Sequence, residues 1–249
     1  MTVPQIILSD SADASGLGLG WYGRPVDWDG EYATYLPGID QPNAPGWDYS
    51  LNGRDTSPEG VTFGSGWFNG GWIDTPVAPR DLGDAFTVWA LVKTHSTSGS
   101  PVAETFLGSS GGTNQRFVDL LIDPTAPGYY KMLLSNGAGS GFIASPALPL
   151  TAGTGVGWDL LVGCVQPNGC ALHRRSLTTS ADVTASFTAS GVYGSVPLTI
   201  GNNNDHTVST PANLAIAGAG MISGFLGNAD VDDLYARLKA HFATIGLAI

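Results

Sequence analysis

The chain reads as an all-β protein: a two-sheet antiparallel jelly-roll sandwich with a C-terminal helix and an irregular N-terminal arm. Three observations carry this reading. Short runs of β-branched and aromatic residues recur along most of the chain, the clearest being Phe86-Thr87-Val88-Trp89-Ala90-Leu91-Val92-Lys93. Turn formers separate these runs, with 35 Gly and 16 Pro among 249 residues. A single stretch near the C terminus spaces its apolar residues at helical period. Charged residues make up 12% and hydrophobic residues 43%, a balance that suits a folded core rather than disorder.

In order, residues 1–45 form the arm and 46–249 the sandwich. The arm is polar at Ser9-Asp10-Ser11-Ala12-Asp13 and is punctuated by Pro25, Pro37, Pro42 and Pro45. It is rich in rings: Trp21, Tyr22, Trp28, Tyr32 and Tyr35. Gln5 to Leu8 is a short strand candidate. Rings in irregular segments give large apolar contacts with a polar tip, which suits a subunit interface. These five rings are therefore assembly candidates, with ordinary core packing as the competing reading.

From Gly60 the strand pattern becomes regular. Gly60 to Phe63 and Gly71 to Thr75 are short strands, the second stopped by Pro76. Phe86 to Lys93 follows, and alternation places Phe86, Val88, Ala90 and Val92 on one apolar face. Thr87, Trp89, Leu91 and Lys93 make a mixed face, expected to be partly open. Val102 to Leu107, Gln115 to Ile122, Tyr129 to Ser135 and Gly141 to Ala144 come next. Trp158 to Val165 and Cys170 to Ser176 flank Pro167-Asn168-Gly169, a hairpin turn because Asn-Gly accepts positive φ. Val183 to Thr188, Leu198 to Ile200 and Leu214 to Phe225 complete the set. Regularly spaced short strands of this kind indicate a sandwich or jelly roll.

The helix is expected over 229–243. Asn228 stands at the cap position, and Asp230, Asp232 and Asp233 fill the first turns, where carboxylates suit the positive end of the dipole. Val231, Leu234, Tyr235, Leu238 and Phe242 share one face, and Gly246 ends the element. The simplest place for it is a lid on the sandwich edge.

Bulk properties narrow the function. A formal net charge of −11 argues against non-specific binding to a phosphate backbone, so no nucleic-acid partner is expected. No apolar run approaches the roughly 20 residues of a membrane span. The opening residues lack a basic stretch and a long apolar core, so a chain made in the cytoplasm without a signal peptide is expected. Cys164 and Cys170, in a chain with no export signal, are read as free thiols. His95, His173, His206 and His241 have no Ser or Cys partner implied by spacing, and Gly16-x-Gly18-x-Gly20 lacks the strand–turn–helix context of a phosphate cradle.

The order of motifs resembles a known family. It runs from Phe86–Lys93, through the Trp-led strand Trp158-Asp159-Leu160-Leu161-Val162, to the hairpin into Ala171-Leu172-His173-Arg174-Arg175. Leu198-Thr199-Ile200-Gly201 follows, and Ala219-Gly220-Met221-Ile222-Ser223-Gly224-Phe225 leads into the helix. This is similar to the laminin-G-like branch of concanavalin A-like jelly rolls, which bacteriophage tail or capsid proteins and secreted glycan-binding proteins often carry. The sequence departs from that pattern at Leu91, where the family usually has Trp, and at Trp89, where it usually has a small residue.

The resemblance implies a non-enzymatic structural component of a bacteriophage particle (tail, fibre or head decoration), located in the virion. Its partners would be other virion proteins or copies of itself, and its lectin-like domain would contact host-surface polysaccharide. The alternative is a stand-alone carbohydrate-binding module. A second alternative is a glycoside hydrolase, since the fold hosts glucanases with paired carboxylates. Glu31, Glu59 and Glu104 are scattered, however, and Asp119 and Asp123 straddle a strand end, so no enzyme is expected. Trp67, Trp72 and Trp89 are the candidate glycan platforms, each also readable as a core ring. Calcium is the candidate metal, because laminin-G-like domains often hold it at a loop rim and it takes 6–8 oxygens. Asn203 and Asp205 on one turn, and Asp27 and Asp29 on another, offer such oxygens, as any tight turn also does.

Overall fold

The computed structural model describes residues 28–36, 48–50, 52–64, 66–97, 100–109, 116–125, 127–135, 142–151, 154–188, 193–202 and 214–249. Among them lie sixteen strands and one α-helix. In chain order these are β1 (Glu31–Tyr35), β2 (Ser57–Glu59), β3 (Thr62–Phe63), β4 (Phe68–Asn69), β5 (Trp72–Asp74) and β6 (Phe86–Lys93). β7 (Glu104–Gly108), β8 (Val118–Asp123), β9 (Tyr129–Ser135), β10 (Phe142–Ala144) and β11 (Ala147–Pro149) follow. β12 (Asp159–Gln166), β13 (Gly169–Arg175), β14 (Ser180–Ser186), β15 (Thr199–Ile200), β16 (Ala215–Ser223) and α1 (Asn228–Thr244) complete them.

The strands form two antiparallel sheets. The first runs β14-β13-β12-β6-β16-β4-β3, and β1 also pairs with β16. The second runs β10-β9-β8-β7-β15-β5-β2, and β11 also pairs with β9. The expected two-sheet sandwich with a C-terminal helix is therefore what the chain forms. The Asn168-Gly169 turn joins β12 to β13, with Gln166 opposite Gly169 and Leu160 opposite Arg175. A 3-10 turn, Pro79–Leu82, carries the chain from the second sheet back to β6.

The sheets differ in how they are buried. In the second, burial alternates along Leu120–Asp123 of β8 and Tyr129–Leu134 of β9: Leu120, Ile122, Tyr130, Met132 and Leu134 point inward at 1% exposure or less, while Leu121, Asp123, Tyr129, Lys131 and Leu133 are half-buried. In the first, whole strands are buried, because apolar groups pack on both faces. Phe86, Val88, Ala90 and Val92 of β6 join Leu161, Val165, Leu172, Ala219 and Met221 in the core between the sheets. Trp89 and Leu91 join Leu160, Val162, Cys164 and Ala171 on the opposite face, under Val231, Leu234, Leu238 and Phe242 of α1.

Three expectations are corrected here. The mixed face of β6 is covered, and the helix lies on a sheet face rather than on an edge. It is fastened there by Arg175, whose Nε donates to Asp232 at 2.6 Å. The cap also differs: Gly227 precedes the helix, and its N–H donates to the Asp230 carboxylate at 2.9 Å. At the far end Gly246, at φ +76°, lets the chain turn out of the helix.

Within the expected arm, Glu31–Tyr35 is a regular strand of the first sheet, not an irregular segment. Ala33 pairs with Met221 and Tyr35 with Ala219. Its alternation is too short to stand out from the sequence, and its partner lies near the other end of the chain. The rest of the arm, including the strand candidate Gln5 to Leu8, lies outside the described residues.

Candidate functional site

The rings proposed for glycan contact have three different fates. Trp89 is fully buried, at 0% exposure. It stands opposite Gly220 in the sheet, and its indole lies against two bare positions of β16. A Cβ on Gly220 would come within 2.5 Å of the ring nitrogen, and one on Gly218 within 3.3 Å of the ring edge. With α1 above it, Trp89 is part of the core and is not a sugar platform. The small-residue run Ala217-Gly218-Ala219-Gly220 was the available signal, since a large ring needs such a seat. Trp67 is half-buried and packs with the helix-side cluster, its indole over Gly64. Trp72 is half-buried on β5 beside Ile73, which points inward, so its ring belongs to the outward face of the second sheet.

The described arm rings, Trp28, Tyr32 and Tyr35, contact groups of their own chain. Tyr35 is 1% exposed, and its hydroxyl donates to the carbonyl of Arg54 at 2.8 Å. Burial pushes its pKa well above the ordinary phenol range. Its ring is therefore closed to a partner, which corrects its assembly role. The Arg54 guanidinium lies 3.7 Å above the Tyr32 ring, and Arg237 of α1 lies 5.4 Å from the Trp28 ring. Trp21 and Tyr22 lie outside the described residues, as do Asp27, Asn203 and Asp205 of the calcium candidates. Asp29 sits exposed in the turn before β1. Among the described residues, no three His, Cys, Asp or Glu side chains gather as metal ligands.

Polar groups do gather at both ends of the space between the sheets. At one end Arg174 grips Asp159, with Nε 2.8 Å from Oδ1 and Nη2 3.2 Å from Oδ2. Tyr130, from the second sheet, donates its hydroxyl to Asp159 at 2.6 Å, and Arg174 Nη1 reaches Thr151 at 3.0 Å. Burial, then the Asp159 charge, raises the Tyr130 pKa far above its ordinary value. This cluster is satisfied and neutral overall, the pattern of a structural pair rather than of a catalytic carboxylate. Glu104 sits at 1% exposure and accepts from Ser96 N at 2.7 Å and Ser96 Oγ at 2.8 Å. Burial raises its pKa.

At the other end Arg116 lies at 5% exposure, donating to Tyr193 at 2.9 Å. Nothing in the sequence singled out this residue, which falls near the start of the expected strand Gln115 to Ile122 and just before β8.

The outward face of the second sheet is partly open along β8 and β9. Rows follow from the pairing: Asp123 stands opposite Tyr129, and Leu121 opposite Lys131, while Ala147 and Pro149 of β11 continue the same rows. Lys131 Nζ pairs with Asp123 at 2.5 Å and lies 5.8 Å from the Tyr129 ring. The hydrogen bond from Lys131 holds the Asp123 carboxyl at about 2. On the far side of the sheet Trp72 and Asp74 continue this face, and Asp74 accepts from Thr199 at 2.7 Å. Between them Thr105, Asp119 and Thr199 are buried. A face with half-exposed rings beside fixed polar groups has the chemistry of a saccharide surface, where rings stack on sugar faces and polar groups meet hydroxyls.

No family model matches the chain, and no curated protein matches it in sequence. Its fold is similar to solved structures at low identity. The botulinum neurotoxin serotype C1 binding domain aligns with TM-score 0.61 and 12% identity, over 84% of this chain and 52% of that one. The serotype D binding domain gives TM-score 0.59 and 12% identity, over 83% and 51%. A botulinum neurotoxin type C structure, described in terms of cell entry dependent on two ganglioside molecules, gives TM-score 0.55 and 10% identity over 84% and 51%. This chain thus spans about half the length of the structures it matches, and the likeness is one of fold: an antiparallel β-sandwich.

Proposed function

We propose that the chain is a non-catalytic carbohydrate-binding module whose ligand surface is the outward face of the second sheet. The observation that carries this is the unequal burial of the two sheets. The central strands of one, β6, β12, β13 and β16, are covered on both faces, while the other keeps Tyr129, Lys131, Asp123, Leu121 and Leu133 half-exposed in register. Two things support the reading: the likeness in fold to domains described as binding domains, and the absorption of Asp159 into a neutral structural pair. It favours the stand-alone module over the particle component. Carriage by a virus particle, with a laminin-G-like affiliation, is the second reading, in which the same module meets surface glycans as part of that particle. Antiserum against the chain would then label purified particles.

The binding test is a glycan array followed by titration of the best ligand, comparing the native chain with Tyr129→Ala and Trp72→Ala. Each loss of a stacking ring is expected to weaken binding by about 1–3 kcal/mol without lowering the unfolding midpoint appreciably. A native chain that binds no glycan, or variants that bind unchanged, would overturn the assignment.

A further inference from the structure

The two buried arginines that face the core are treated differently by the fold. Arg174 is matched by the Asp159 carboxylate. Arg116, at 5% exposure, has no carboxylate against it among the described residues. Its one hydrogen bond there runs from Nη2 to the Tyr193 hydroxyl, at 2.9 Å, and its Nε is buried without a partner. Tyr193 supplies no counter-charge, because burial pushes its pKa up to about 12 and the phenol stays neutral. A buried guanidinium carries up to five N–H donors and a full charge, and leaving both unmatched is unfavourable.

The surroundings form a cradle. The guanidinium carbon lies 4.0 Å from the centre of the Tyr193 ring and 5.7 Å from that of Phe187. Tyr193 is held in place edge-on by Phe86, with ring centres 5.0 Å apart. A parallel bridge ties the backbone of Arg116 to that of Tyr193, and Gly194 N donates to the Arg116 carbonyl at 2.9 Å. Phe187 is half-buried. So the charge is fixed by backbone and rings, with a donor left over.

We propose that Arg116, Tyr193 and Phe187 form an anion site that takes the carboxylate of an acidic saccharide. A planar guanidinium matches a planar carboxylate in shape and in charge, one against one. A phosphate dianion would call for a second cation, and among the described residues the cradle has none. The rings suit the apolar face of a sugar beside its carboxylate. The site lies apart from the outward face of the second sheet. It rests on the carbohydrate reading only for the saccharide, not for the anion.

The test is calorimetric titration of the whole chain with glucuronic acid and N-acetylneuraminic acid, with the methyl ester of each, and with inorganic phosphate. Native protein is compared with Arg116→Met and Arg116→Lys. Expected is binding of at least one acid, roughly tenfold or more weaker binding of its ester, and loss of that preference in both variants, since Lys keeps the charge but not the fork. Arg116→Met should keep or raise the melting temperature, because it removes an unmatched charge. Equal binding of acid and ester, or an acid preference that survives Arg116→Met, overturns the site. Phosphate binding as tight as that of the acids overturns the saccharide assignment. A melting temperature lowered by Arg116→Met with binding unchanged makes the residue structural only. Neutral glycans bound equally by native and Arg116→Met chains would leave the outward-face surface standing without this site, and acid binding with unaffected Tyr129→Ala would do the reverse.

Discussion

Asp159 and Arg174 are diagonal neighbours across the β12–β13 ladder, Arg174 standing opposite Leu161, and they meet in a two-point pair, both at 3% exposure or less, closed from the opposite sheet by the Tyr130 hydroxyl. A pair so deep gains little over an apolar replacement, but losing one member strands the other. Asp159→Leu and Arg174→Met should each cost about 3–5 kcal/mol. The double variant Asp159→Leu, Arg174→Met should recover much of that loss. Urea unfolding of the four proteins measures the coupling, and additive losses would contradict a paired role.

The seat of Trp89 predicts a steric effect from a very small change. A Cβ on Gly220 falls 2.5 Å from the indole nitrogen, and the ring is locked beneath α1. Gly220→Val should therefore destabilise by about 1–3 kcal/mol through overpacking. Trp89→Ala should cost about 3–5 kcal/mol by leaving a void. Trp89 fluorescence should redden in the Gly220 variant if the ring is pushed toward solvent, and an unshifted spectrum with native stability would refute the seat.

The two thiols should be silent in the folded chain. Cys164 packs on the helix side and Cys170 in the core between the sheets, so the sheet itself lies between them. Burial raises them to about 12 and about 11, leaving almost no thiolate at neutral pH. Iodoacetamide at pH 8 should label neither until denaturant is added, after which both should react. Rapid native labelling of either one would be inconsistent with this placement.

Glu104 sets a pH dependence. Its folded pKa is raised by burial, so the folded chain binds its proton more tightly than the unfolded chain does. Its contribution is fully present below the ordinary carboxyl value, near 4.5, and is lost as pH rises through the folded value. Glu104→Gln should match the native chain at pH 4 and be the more stable of the two at pH 7. Melting curves at both pH values decide it, and a difference that grows toward acid would carry the wrong sign.

Much of the fold was legible in local pattern. Phe86–Lys93 alternates cleanly, Asn168-Gly169 announces its hairpin, and the spacing of Val231, Leu234, Leu238 and Phe242 marks the helix within a residue or so of its bounds. What stayed hidden depends on distant partners. Whether the odd face of β6 is open is decided by α1, well over a hundred residues later, so the sequence leaves Trp89 readable both as a glycan platform and as a core ring. Glu31–Tyr35 is a strand because Ala215–Ser223 offers it an edge. The missing counter-ion of Arg116 is likewise invisible until Tyr193 and Phe187 are brought beside it.

The pairing of β6 has a consequence in time. Its two neighbours are β12 and β16, both made long after it, and the second is finished only just before the helix. A nascent chain that has passed Lys93 therefore holds its most apolar strand with both edges bare until β12 is made, and with one edge bare until β16 is. Such a strand is the segment a chaperone would hold, and the one through which unfinished copies would stick together. Fast release of complete chains, rather than greater stability of the finished fold, would then govern how much soluble protein a cell yields.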